Sequence, residues 1–218
     1  MGARSFQISP EKLPAVQFGN QTPTQLTSRF EDALVYTAQL HSSQRRKGSN
    51  VPYLSHLMAV AATVLEFGGT EDEAIAGLLH DAVEDQGGAP TLAAIEKRFG
   101  KTVADIVAGC SDTDVVPKPP WKARKQEYLH HLQSASPGIL LVSAADKLHN
   151  ARAILADLRN PAVGDTVWSY FKATKADTLW YYRSLADTYL QKMPADKLPL
   201  AREVDAVVKT LEIESQKP

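Results

Sequence analysis

Apolar residues recur at helical spacing along this chain, and the alternating β-branched runs that make strands are missing. In "SRFEDALVYTAQLH", Phe30, Ala33, Leu34, Tyr36, Thr37 and Ala38 carry that rhythm. Ser28 with Glu31 reads as a capping box at its start. "YLSHLMAVAATVLEFGG" reads as a buried helix stopped by Gly68-Gly69. Thr70 with Glu73 opens the next helix, and Gly87-Gly88 closes it. "TLAAIEKRFG" and "TVADIVAGC" read as two short helices, and "SDTDVVPKPPW" as a loop. Further helices are expected over 121–134, 138–157, 166–191 and 199–214. Residues 1–23 show no periodicity and read as an irregular lead-in. The expected fold is all-α, a single helical bundle over 24–218.

Within that pattern "AGLLHDAVEDQGG" stands out, because one helix carries His80, Asp81, Glu84 and Asp85. At about 100° per residue the four fall within an arc of roughly 140°. Ile75, Leu78, Leu79, Ala82 and Val83 fill the other side, as on any amphipathic helix. Gly77 sits in the middle of the polar arc, where a glycine costs about 1 kcal/mol against alanine. It leaves room there for something to approach closely. Two other helices carry similar oddities. His56 is the only ionisable residue between Tyr53 and Leu65. Asp146 follows an apolar run in "GILLVSAADKLHNARAIL", with Asn150 one turn on. A buried carboxylate needs a cation or several donors. Two imidazoles and two carboxylates, His56, His80, Asp81 and Asp146, suit a divalent metal that activates water; manganese, iron and zinc all fit the donors.

Composition limits the partners. Lys and Arg number 24 against 25 Asp and Glu, a formal net charge of -1, so there is no general basic field for DNA or RNA. No stretch is apolar enough to span a bilayer. Cys110 is the only cysteine, which fits a reducing cytoplasm. The acidic cluster would need cations beside it to hold a polyanion, and "RRK" at 45–47 and "WKARK" at 121–125 supply them, with Lys147 a further candidate. His41 reads as supporting or structural, His130 and His131 as surface residues, and His149, three residues after Asp146, as able to reach the site but more readily as packing. Trp121, Trp168 and Trp180 read as core, and Cys110 as a small buried apolar residue.

The order "RRKGSNVPYLSH", "LLHDAVED" and "AADKLHNARA" resembles the HD-domain phosphohydrolases, and among them the hydrolase domain of the Rel/Spo alarmone enzymes in its free-standing form, the small alarmone hydrolases. The resemblance runs from about Phe30 to Ala186. It implies an all-helical fold and one Mn2+ held by His56, His80, Asp81 and Asp146. It implies removal of the 3′-pyrophosphate from guanosine tetra- or pentaphosphate, with Glu84 and Asp85 as the catalytic acidic pair. The implied substrate contacts are Arg46 and Lys47, of which the arginine lies over the guanine, with Asn150 and a tyrosine that is Tyr181 or Tyr182. Lys122 is the expected phosphate contact of the "WKARK" run. The loop before "PY" is one residue longer than the family pattern. Too few residues follow Ala186 for the synthetase domain of the large family members. The resemblance also admits another nucleotide substrate, such as NADPH losing its 2′-phosphate. A non-catalytic nucleotide-binding module would lack a ligand or the acidic pair, and all six residues are present. A helical scaffold with these residues as surface charges would bind no metal.

Overall fold

The computed structural model describes residues 24–112 and 119–217. The expected lead-in at 1–23 and the middle of the proline loop lie outside the described residues. Among the described residues the architecture is all-α. The helices are α1 Ser28–Leu40, α2 Leu54–Glu66, α3 Glu71–Leu79, α4 Ala82–Asp85, α5 Ala89–Phe99 and α6 Lys101–Cys110. After the loop come α7 Trp121–Leu132, α8 Pro137–Arg159, a 3-10 helix at Gly164–Tyr170, α9 Lys175–Lys192 and α10 Leu198–Glu214. No strand forms among these residues beyond an isolated bridge between Arg45 and Pro52. Among the described residues no helix is long and apolar enough to cross a membrane.

Helix α8 is the axis of the bundle. Leu140 to Ala145 are all buried on it, and α2, α3, α6, α9 and α10 pack around it. Leu57 on α2, Leu78 and Leu79 on α3, and Leu141 and Leu148 on α8 are almost wholly inaccessible. Each such side chain contributes about 1.5–3 kcal/mol when removed from water. Polar residues placed in this interior by the same helices are therefore held rigidly.

Local signals set most boundaries. Thr70 and Glu73 form the expected capping box. The chain leaves α2 through Gly68 at φ 73°, with the Gly69 amide donating to the Val64 carbonyl. The expected Ser28–Glu31 box is corrected: Thr27 caps α1 through its hydroxyl. Thr27 in turn donates its amide and hydroxyl to Glu71, a tertiary contact that fixes the start of the helix. The expected continuous helix from Thr70 to Gly87 is also corrected. It is interrupted at His80 and Asp81, between α3 and α4. The helix expected over 166–191 splits at Phe171, and Thr174 caps α9 by accepting from the Asp177 amide.

Candidate metal centre

Three helical segments converge on one point. Helix α2 brings His56, the α3–α4 junction brings His80 and Asp81, and α8 brings Asp146. One ligand atom each from His56, His80 and Asp146 lies within 4.8 Å of the others, and all three residues are buried. Asp81 Oδ2 completes the ring, 3.1 Å from His80 Nε2 and 3.7 Å from His56 Nε2. Asp146 Oδ1 stands 3.2 Å from His56 Nε2 and 3.6 Å from His80 Nε2.

The protons decide what this arrangement can hold. His80 Nδ1 is 2.9 Å from the Gly77 carbonyl, which only accepts, so Nδ1 carries the hydrogen. A neutral His80 then points a lone pair at the carboxylates. Both Nε2 atoms are buried without a hydrogen-bond partner among the described residues. Lone pairs facing acceptor-only carboxylates are stable only with a cation between them. The same carboxylates call for positive charge at this point, supplied either by a cation among the donors or by a proton on the ring. Burial opposes charge on His80, yet Asp81 and Asp146 outweigh it and push its pKa well above the usual histidine value. Burial likewise opposes charge on Asp146, and Lys147, His56 and His80 hold its pKa well below the carboxylate range. The donor set fits a divalent metal.

Supporting contacts orient the four donors. His56 Nδ1 meets His149 Nδ1 at 2.8 Å, so His149, expected to be mere packing, instead buttresses a donor. Burial, with His56 and Arg46 nearby, pushes His149 down to about 4, which leaves the ring neutral and able to accept the His56 Nδ1 hydrogen. The Tyr53 hydroxyl donates to Asp81 Oδ2 at 2.5 Å. Asn150 donates to Asp146 Oδ1 at 2.5 Å and accepts from Arg46 Nη1 at 3.0 Å. It therefore ties the basic loop to the centre. Lys147 contacts Asp146. Gly77 makes room not for a ligand but for α2: a Cβ there would sit 3.2 Å from Ala61 Cα.

The other expected site residues are placed as follows. Glu84 is half-buried and Asp85 exposed at the rim, both on α4. Burial and the charges of Asp81 and Glu84 push Asp85 upward, against a hydrogen bond from Gln44, and its open side mutes the shift. Lys47 is exposed on the loop. Tyr181 and Tyr182 are both buried and both lie in the fields of Lys147 and Asp146; Tyr182 also feels Arg46. Lys122 is not brought to the centre. Its ammonium pairs with Asp177 at 2.7 Å and lies 3.3 Å above the Trp180 ring. One turn on, Lys125 turns inward, pairs with Asp112 at 2.7 Å and lies 5.0 Å above the Tyr181 ring. Burial and Lys147 depress its pKa, and Glu84 lies within its field. Tyr53 escapes a reading for motifs, although it precedes His56 at the helical spacing that would have flagged it; Lys125 belongs to the "WKARK" run, in which Lys122 is the expected contact.

His130 and His131 are exposed, as expected. The three tryptophans are only partly buried and pack on the edge of the core rather than within it. Cys110 is likewise only partly buried, its thiol pushed up by burial.

Comparison with known proteins places this centre in context. The family profile described as HD domain matches residues 33–177. A guanosine-3′,5′-bis(diphosphate) 3′-pyrophosphohydrolase MESH1 of Xenopus tropicalis is 38% identical over 124 residues, 56% of this chain and 66% of that protein. The Danio rerio MESH1 is 37% identical over 129 residues, 58% of this chain and 69% of that protein. A probable GTP pyrophosphokinase of Mycobacterium leprae (strain TN) is 34% identical over 158 residues, which span only 19% of its length. Among solved structures, a metazoan orthologue of SpoT, described as hydrolysing ppGpp, shares the fold. Its TM-score is 0.68 at 23% identity, over 86% of this chain and 98% of that one. A Listeria monocytogenes EGD-e crystal structure has a TM-score of 0.64 at 29% identity, over 72% of this chain and 97% of that one. The chain belongs to the HD-domain family, on its MESH1-like branch.

Proposed function

We propose that the chain is a metal-dependent guanosine-3′,5′-bis(diphosphate) 3′-pyrophosphohydrolase, acting in the cytoplasm and holding Mn2+. It removes the 3′-pyrophosphate of ppGpp or pppGpp and leaves GDP or GTP. The observation that carries this reading is the pair of buried, unpartnered Nε2 atoms of His56 and His80 facing Asp81 and Asp146. The MESH1 relatives bear that activity in their names.

A divalent cation held by those four residues polarises a phosphoryl oxygen and makes water a stronger acid. The remaining work falls to this chain's own side chains. Glu84 and Asp85 stand one turn beyond His80 and Asp81, where they orient the attacking water and pass a proton to the departing 3′ oxygen. Asp85, pushed upward by burial and by the charges of Asp81 and Glu84, is suited to carry that proton. A substrate with several phosphates needs fixed cations near the acidic cluster. Lys147 and Lys125 supply them from inside the bundle, and Arg46 and Lys47 from the loop. Arg46, aligned by Asn150, would lie over the base. Tyr181 lines the same side beneath Lys125. Lys122 joins the substrate only by leaving Asp177.

The test is a set of variants read for metal and turnover together. His80→Ala and Asp146→Ala lose bound manganese and activity. Glu84→Ala keeps the metal and loses turnover. An Asp146→Ala protein that retains stoichiometric metal overturns the centre, and an active, metal-loaded Glu84→Ala protein overturns the role of the acidic pair. A panel with NADPH beside ppGpp separates the guanine substrate from the 2′-phosphate alternative.

A further inference from the structure

Asp85 is open to solvent, and an exposed carboxylate on a one-turn helix would ordinarily sample several rotamers. Here it does not stand alone. Gln44 Nε2 donates to Asp85 Oδ2 at 2.8 Å, across 41 residues of sequence. The other end of the same amide is held twice. Gln86 Nε2 donates to Gln44 Oε1 at 2.7 Å, and His41 Nδ1 lies 2.6 Å from that oxygen.

These three contacts leave the amide one orientation. The Asp85 carboxylate only accepts, so the NH2 group must face it, and the carbonyl then faces Gln86 Nε2 and His41 Nδ1. Turned over, the amide would set its NH2 against the Gln86 donor and its oxygen against Asp85. His41 is fixed in turn. It is buried, and its ring stacks on Tyr53 at 5.7 Å between centroids. Tyr53 is the residue whose hydroxyl holds Asp81. One chain of contacts thus runs from the metal centre through Tyr53, His41 and Gln44 to the acidic pair.

We propose that Gln44 is a positioning residue for Asp85: its amide, locked by His41 and Gln86, holds the carboxylate in the direction it needs for proton transfer. The proposal rests on Asp85 acting in the reaction. Gln44 reaches none of the four metal donors and acts on the reaction only through Asp85. Its removal should therefore lower turnover and spare both metal content and substrate affinity.

The experiment is a double-mutant cycle on kcat with ppGpp and manganese, using wild type, Gln44→Leu, Asp85→Asn and the double variant. Gln44→Leu should lower kcat about ten-fold or more, the scale of a lost charge-assisted hydrogen bond. KM should stay within about two-fold, and metal content should be unchanged. The double variant should be no slower than Asp85→Asn alone, because the clamp then has nothing to hold. A kcat unchanged by Gln44→Leu, or a loss that multiplies with that of Asp85→Asn, overturns the proposal. The clamp is also read without any substrate, by the NMR shift of the Gln44 side-chain amide protons. Asp85→Asn should move them upfield, since the charged acceptor is gone; protons that do not move overturn the clamp. If wild type leaves ppGpp intact while the amide shift appears, the substrate assignment has failed and the clamp has not.

Discussion

Replacing Gly77 with alanine sets two known effects against each other, and the packing of α2 on α3 decides the sign. Alanine in a helix interior is favoured over glycine by about 1 kcal/mol. The new Cβ would sit 3.2 Å from Ala61 Cα, 3.4 Å from Ala61 N and 3.5 Å from Val64 Cγ2. Two of these are backbone atoms of α2, so no side chain can swing aside. The helices must separate by a few tenths of an ångström, and overpacking of that kind costs about 1–3 kcal/mol. The net is a loss of about 1 kcal/mol, or roughly 2–4 °C in Tm for a chain of this size. The same separation reaches the site. His56 lies on α2 and His80 three residues beyond Gly77, with His80 Nδ1 bonded to the Gly77 carbonyl. Donors must stay within about 0.5 Å of their geometry, so manganese affinity should also fall. Thermal unfolding of the metal-free protein and a metal titration read both effects. A Gly77→Ala protein that is more stable, with unchanged manganese affinity, refutes the packing argument.

His149→Leu keeps the volume but removes the acceptor for His56 Nδ1, and a manganese titration should show affinity lower by about 10–100-fold; an unchanged affinity would make His149 packing after all. Asp112→Asn takes the carboxylate from Arg124 and Lys125, and urea unfolding at pH 7 should show a loss of about 1.5–3 kcal/mol. Burial works against the Asp112 charge, but Lys125 and Arg124 hold the folded carboxyl below its ordinary value. Its contribution is therefore complete above the unfolded pKa of about 4 and fades as pH falls through the lower folded value. The variant should lack that part of the acid destabilisation, and matching stability–pH curves would refute the assignment. Lys125, depressed by burial and Lys147, sheds its charge sooner than an ordinary lysine as pH rises. The wild-type KM for ppGpp should climb in the alkaline range, and Lys125→Arg, whose charge persists, should flatten that climb; identical profiles would remove Lys125 from the substrate.

The helices and the cluster of histidines and aspartates were legible because each left a mark in the local pattern. Asp146 and His56 interrupt apolar runs, and a polar group in such a run needs a reason. The break at His80 and Asp81 left none. Both residues keep right-handed helical angles, φ -58°, ψ -30° and φ -96°, ψ -3°, so the apolar rhythm passes through the interruption. The start of α1 was misread for a different reason: Glu71, on another helix, selects Thr27 over Ser28. Thr174 with Asp177 is a start signal that the longer reading of α9 ran through. The choice between Lys122 and Lys125 depends on which face of α7 meets α9, and α7 is too polar for its own periodicity to say. Gln44 lies in a loop, where no period exists to mark it. Its partners Asp85 and Gln86 are distant in sequence and meet it only after the bundle closes.

The most direct measurement is incubation of the purified chain with guanosine tetraphosphate, with manganese or with EDTA, and separation of the products. Manganese-dependent release of GDP and pyrophosphate, abolished by EDTA and by His80→Ala, is the expected result. Intact guanosine tetraphosphate in the presence of a fully manganese-loaded protein would contradict the proposed reaction.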